Sequence, residues 1–342
     1  MIPFWMNLGL RRVMRGLVPA GVVLLAGCSE GGFARYSGET MGTYYQVTAD
    51  CPGDVAPVIE AELQAVNAEM STYIPESELS RFNTGPVDVW FPVSAALVEV
   101  VDASLSLSRQ SDGAFDVTVG PLVNLWGFGP AARRGVPDAA AIAAARARVG
   151  YTALETQVDP PALRKSKDLY VDLSAIAKGH GVDRVVDRLT QSGCGDLLVD
   201  IGGEVRARGH NPDGNPWRIG VEVPDPTRSG AVQRVVRAAN AALATSGDYR
   251  NFFDADGRRY SHTIDPKTGA PVTHRLASVT VVHASTMWAD GYATLIDVLG
   301  PDAGLEFAAR HDLAVMLIVR TDAGFEERYT PAFRTLLGDR EP

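Results

Sequence analysis

Basic charge is scarce in this chain. Its 342 residues hold 32 Lys and Arg against 41 Asp and Glu, a formal net charge of −9. Nucleic-acid binding needs Lys and Arg gathered on the phosphates, and no such patch is present, so that class of function is excluded. Cysteine is scarcer, at three residues. Long apolar runs are missing too. The longest, Leu17 to Ala26, is too short to span a bilayer as a helix. Internal repeats and low-complexity tracts are absent. What remains is 46% hydrophobic and 21% charged residues, ample for an ordinary core.

The short apolar run follows Arg11, Arg12 and Arg15 and ends in Leu25-Ala26-Gly27-Cys28. Basic residues, an apolar stretch and small residues before a cysteine make a lipoprotein signal peptide over residues 1–27, with lipid on Cys28. Cleavage removes three arginines and no acid, taking the charge from −9 to −12. Membrane attachment then comes from the lipid, not from a basic face. Residues 28–37 read as a tether and 38–337 as the functional domain. Cys51 and Cys194 are distant in sequence, and they read as two buried free thiols, although an oxidising compartment allows a disulfide.

Thr43 to Thr48 alternates as a strand. Ile59, Leu63, Val66 and Met70 share one helical face. Ser94 and Asp138 are placed to cap helices, the second an Ala-rich helix running towards Gly150. Leu169–Asp172, Leu197–Ile201, Ser278–His283 and Leu313–Val319 read as strands. Val182, Val185 and Leu189 mark a helix, Met287–Leu299 another, and residues 252–260 a hairpin. Short strands mixed with helices and hairpins predict an α+β fold. Its sheets are expected to be mixed and antiparallel with packed helices, in one domain or two intertwined subdomains.

Several segments carry residues that a scaffold does not need. Gly38–Tyr44 brings Met41 and flexible backbone together, suited to a flat ligand. Tyr73 follows a helix and offers a stacking face. Asp116, in the apolar run Ala114-Phe115-Asp116, needs a partner, either backbone or a ligand hydroxyl. Val171–Gly181 passes through small residues into a helix whose positive end, with Lys178, suits phosphate, although it has neither Walker nor dinucleotide-fold spacing. Asp172 there either caps the helix or binds a ligand. His262 sits among Ser, Thr and Asp, as an acid–base residue would. Asp290 and Thr294 are one helical turn apart, and their hard oxygens suit Mg²⁺ or bond to each other.

Taken in order, GETMGTYY, MSTYIPESELSRFN, GAFDVTVGPLVNLWGFG, VDLSAIAKG, LVDIGGEVRARG, TSGDYRNFF, YSHTIDPKTGAPV and ADGYATL resemble the ApbE family of FAD:protein FMN transferases. The resemblance implies FAD contacts at Met41, Tyr73, Ala114, Phe115, Asp116, Asp172, Lys178 and Ile264. It implies Mg²⁺ ligands at Asp290, Thr294 and the carbonyl of Ala175, and catalysis at His262. FAD is then a substrate. FMN would pass to a threonine or serine hydroxyl of an acceptor flavoprotein as a phosphoester, with AMP released. The acceptor would be a subunit of a membrane redox complex or another exported flavoprotein. The enzyme would lie on the periplasmic side of the inner membrane or at the outer membrane. The alternatives are a Mg²⁺-dependent FAD pyrophosphatase and a flavin-binding lipoprotein without chemistry.

Overall fold

The computed structural model describes residues 32–130, 135–228, 230–247, 251–255 and 257–337. The expected signal peptide, Cys28 and the segment 248–250 of the TSGDYRNFF block lie outside the described residues. Eight strands form the central sheet, in the spatial order Ala34–Thr40, Thr43–Ala49, Leu197–Ile201, Glu204–Arg208, Ala241–Gly247, Leu276–His283, Ala314–Thr321 and Gly324–Tyr329. Every pairing in it is antiparallel. The α+β expectation holds. Among the described residues the one parallel contact is an isolated bridge between Val119 and Tyr170. These residues fall in one compact unit and not in two.

Side-chain alternation divides the sheet into two faces. Tyr45, Val47, Val199 and Ile201 meet Ile59 and Leu63 of the helix Ala56–Met70 and Val182, Val185 and Leu189 of the helix Ala177–Gln191. Farther along, Ala244, Val279, Val281 and Leu317 meet the helices Ala95–Gln110 and Thr286–Leu299. On the opposite face Ala207, Leu243, Met316 and Ile318 pack under a separate hairpin, Trp217–Glu222 with Val232–Ala238, and under Phe333.

Four expectations change. The tether ends early, because Ala34–Thr40 pairs along its whole length with Thr43–Ala49 and becomes an edge strand. Leu169–Asp172 does not join a sheet. The amide of Asn83 takes the place of a neighbouring strand, accepting from Val171 N and donating to Val171 O at 2.8 Å each. The Ala-rich helix, capped by Asp138 as expected, stops at Arg146. Cys51 and Cys194 are bonded to each other. The pairing of Ala49 with Leu197 brings them together, a neighbourhood invisible while the strand order was unknown.

Candidate functional site

At one end of the sheet the strands turn at Met41-Gly42 and at Gly202-Gly203, all four residues with positive φ. Left-handed backbone at two successive positions makes the tight hairpin turn that matches sheet twist. It leaves Met41 over the first turns of the helix Ala177–Gln191, where a Cβ on Gly181 would lie 2.7 Å from Met41 Cε. A cleft of about 1030 Å³ opens beside these turns. Met41, Tyr73, Asp172, Ala175, Lys178, His262, Ile264, Asp290 and Thr294 all line it. Five of the eight blocks, scattered over the chain, thus contribute nine of the expected residues to one cavity.

The centre of the cleft is where two helices cross. Asp290, 3% exposed, projects from Thr286–Leu299, and its Oδ2 accepts from Gly179 N at 3.0 Å. The helix carrying it is fixed from outside. Asp183 accepts from Ser285 Oγ at 2.6 Å, Thr286 N at 2.9 Å, Thr286 Oγ1 at 2.8 Å and Met287 N at 3.1 Å. That is a helix cap supplied by another helix. One turn beyond Asp290, Thr294 Oγ1 lies 3.2 Å from Ser246 Oγ.

Lys178 Nζ stands 2.6 Å from Glu204 Oε2, and that carboxyl is 3% exposed. Burial pushes Glu204 up to about 7, with Asp290 adding to the rise and Lys178 opposing it. Burial also raises the Asp290 carboxyl, against the pull of Lys178 and the Gly179 N–H. Among the described residues, two buried carboxylic groups share one ammonium here, an arrangement that a cation would stabilise. Among the described residues no three His, Cys, Asp or Glu side chains converge as metal ligands. A cation here would therefore rest on Asp290 together with the hydroxyl of Thr294 and the carbonyl of Ala175. Oxygen donors in small number, completed by water, fit Mg²⁺.

On the far wall, His262 Nδ1 and its backbone N are each 3.1 Å from the carbonyl oxygen of Asn251. A carbonyl only accepts, so Nδ1 carries a proton, and in the neutral ring Nε2 is then the basic nitrogen. Phe128 stands edge-on to that imidazole with centroids 6.3 Å apart, and its carbonyl accepts from Tyr73 Oη at 3.3 Å. Tyr73 is 67% exposed, an open aromatic face at the cleft wall.

Asp172 is buried at the wall and accepts from Ser174 N at 2.9 Å, a bond within the turn ahead of the helix Ala177–Gln191, whose N-cap is Ile176 with no side-chain cap bond. The structure does not bring Ala114, Phe115 or Asp116 to the cleft wall. All three are buried. The partner that Asp116 requires comes mainly from the backbone: it accepts from Thr118 N at 2.8 Å, Tyr151 N at 2.9 Å and Thr118 Oγ1 at 2.7 Å. Burial raises its carboxyl and these bonds counter the rise.

Sequence reasoning missed Glu204, Asp183 and Asn83. Glu204 had a signal: an acid directly after Gly202-Gly203 at the start of a strand. Asp183 and Asn83 bond to the backbone of distant segments, which no local pattern marks.

A model of the ApbE family matches residues 41–317. A FAD:protein FMN transferase of Haemophilus influenzae is 42% identical over 346 residues, covering 97% of this chain and all of its own. One from Vibrio cholerae is 45% identical, covering 93% of this chain and 97% of its own. The solved flavin transferase ApbE from Vibrio cholerae superposes with a TM-score of 0.83 at 43% identity, covering 90% of this chain and all of that one.

Proposed function

The chain belongs to the ApbE family, and from that we propose that it is an FAD:protein FMN transferase. The observation that carries the reading is the single cleft in which Asp172, Lys178, Asp290 and Thr294 share space with His262. FAD would bind with its flavin near Met41 and Tyr73 and its pyrophosphate near Lys178 at the start of the helix Ala177–Gln191, whose positive dipole end favours anions.

In the reaction, a threonine or serine oxygen of the acceptor protein attacks the phosphorus of the FMN half. The P–O bond of the pyrophosphate breaks, AMP leaves with the bridging oxygen, and the FMN phosphate becomes a phosphoester on the acceptor. His262 Nε2 takes the hydroxyl proton, held to that task by the Asn251 carbonyl at Nδ1. Lys178 offsets charge on the phosphate oxygens, and Glu204 holds its ammonium in place. Bound at Asp290, Thr294 and Ala175, Mg²⁺ would add a second positive charge beside the same oxygens.

We place the mature protein outside the cytoplasm, attached through lipid on Cys28. The bridge between Cys51 and Cys194 supports export, because disulfides persist in oxidising compartments. The acceptor would be a subunit of a membrane redox complex or another exported flavoprotein.

The test is incubation with FAD, Mg²⁺ and the flavin-free form of an exported domain that carries FMN on threonine. The expected result is AMP together with the mass of FMN on the acceptor, both abolished in Asp290→Ala. AMP without flavin on the acceptor would mean that water is the acceptor and the chain is a pyrophosphatase. Bound FAD with no AMP at any Mg²⁺ concentration would mean a binder.

A further inference from the structure

The cleft has two limbs, one on each face of the sheet. Alternation assigns them. Glu204, Ser246, Asp290 and Lys178 lie on the helical face, since Glu204 meets Lys178 and Ser246 meets Thr294. Gln46, Thr48, Leu198, Asp200 and Thr245 also line the cleft, yet they point the other way. Their strand neighbours Val47, Val199 and Ile201 are buried against the helices. The two limbs meet at the strand ends around Gly202-Gly203.

None of the residues assigned to FAD or Mg²⁺ lies on this second limb. Its floor is the open face of the strands Thr43–Ala49 and Leu197–Ile201. One wall is the strand Trp217–Glu222, whose residues Arg218, Ile219, Gly220 and Val221 line the cavity. That strand pairs with Val232–Ala238 on one side, and among the described residues it has no strand on the other. Alternate backbone N–H and C=O groups of a strand paired on one side point to the open edge.

We propose that this limb receives the acceptor protein as an extended segment, laid along the Arg218–Val221 edge and delivering its hydroxyl around the sheet end to the phosphorus. The inference rests on the transferase reading. Two features select a peptide over the nucleotide. An open strand edge matches an extended main chain by strand addition. The floor mixes polar Gln46 and Thr48 with apolar Leu198, as alternating side chains of a bound strand require.

The test uses the full chain with Gln46→Trp, which fills the floor from an exposed position, and Arg218→Glu at the wall. The probe is the flavin-free exported domain named above. Each variant is expected to raise the KM for the acceptor about tenfold or more while the Kd for FAD, read by flavin fluorescence, stays within twofold. A photo-crosslinker at position 46 should capture the acceptor, and one at the exposed Val158 should not. An unchanged acceptor KM would overturn the proposal. So would a parallel loss of FAD affinity, which would give the limb to the nucleotide. Absence of flavin transfer by the unaltered protein would instead overturn the transferase reading itself.

Discussion

Gly179 and Asp290 touch in a way that requires a residue without a side chain at position 179. The Gly179 N–H donates to Asp290 Oδ2 at 3.0 Å, and a Cβ on Gly179 would sit 2.8 Å from Asp290 Cβ and 2.3 Å from the carbonyl oxygen of Thr286. Two helices therefore meet backbone to backbone at the residue that carries the carboxylate.

Gly179→Ala must push those helices apart, because the contacts it would make are with rigid backbone. The expected cost is about 1–3 kcal/mol in urea unfolding. Displacing Asp290 should also lower the rate of flavin transfer by about 100-fold, the scale of a 1 Å misplacement. Gly195→Ala, where nothing lies within 4 Å of the added methyl, should stay within about 0.5 kcal/mol. Equal effects of the two substitutions would refute the close-approach account.

Asn83 should be as sensitive, for a different reason. Asn83→Leu leaves the N–H and C=O of buried Val171 without the bonds they now make. Two such groups cost about 3 kcal/mol together. Asn83→Asp still accepts from Val171 N but cannot donate, so its loss should be intermediate. Because Asp172 is the next residue, the leucine variant should also weaken FAD binding, measurable by fluorescence titration. Full stability in Asn83→Leu would show that water replaces the amide.

The contrast between these two residues shows what was legible in the sequence. Regular elements with strong alternation or caps were readable: Leu197–Ile201 ends where its pattern does, and Ser94 caps its helix by accepting from Leu97 N. So were several cleft residues, because Asp290, Thr294, Asp172 and His262 are polar where packing asks for nothing polar. Strand order was not readable, and with it went the Cys51–Cys194 pairing. Nor were side chains that act for the backbone of a distant segment. Asn83 stands in for a strand and Asp183 for a helix cap, and neither bond has any local pattern. The Ala114-Phe115-Asp116 block shows the opposite case, in which a polar residue in an apolar loop serves the loop itself.

His180 gives the fold an acid limit. Burial lowers its pKa from 6.5 to about 4, with Arg184 adding to the shift and Asp183 opposing it. A depressed base binds fewer protons in the folded state than in the unfolded one between those two values. Its contribution is present above pH 6.5 and is lost as the pH falls towards 4. At about 1.4 kcal/mol per pK unit, the full loss is about 3 kcal/mol. Unfolding free energies measured from pH 7 to pH 4 should fall accordingly. His180→Phe should flatten that part of the profile, and a profile unchanged by it would place the acid sensitivity elsewhere.

The bridge between Cys51 and Cys194 should matter for stability and not for chemistry. It closes a loop with a sequence separation of 143, and restricting so long a loop in the unfolded chain is worth about 5 kcal/mol on the chain-entropy account. The folded state has its own hold at this point, since Ala49 pairs with Leu197 beside the bridge. The strands therefore stay paired when the sulfurs are parted. Tyr45 pairs with Ile201 at the other end of the same ladder, four residues or about 14 Å along, and that end is the one next to Lys178 and Asp290. Cys51→Ser with Cys194→Ser should accordingly lower Tm by about 5–10 °C, and reductant should do the same to the unaltered protein. Below the transition, the rate of flavin transfer should stay within about twofold. A fall in transfer rate at temperatures where circular dichroism still reports the native fold would mean that the bridge holds the cleft end of the sheet in register.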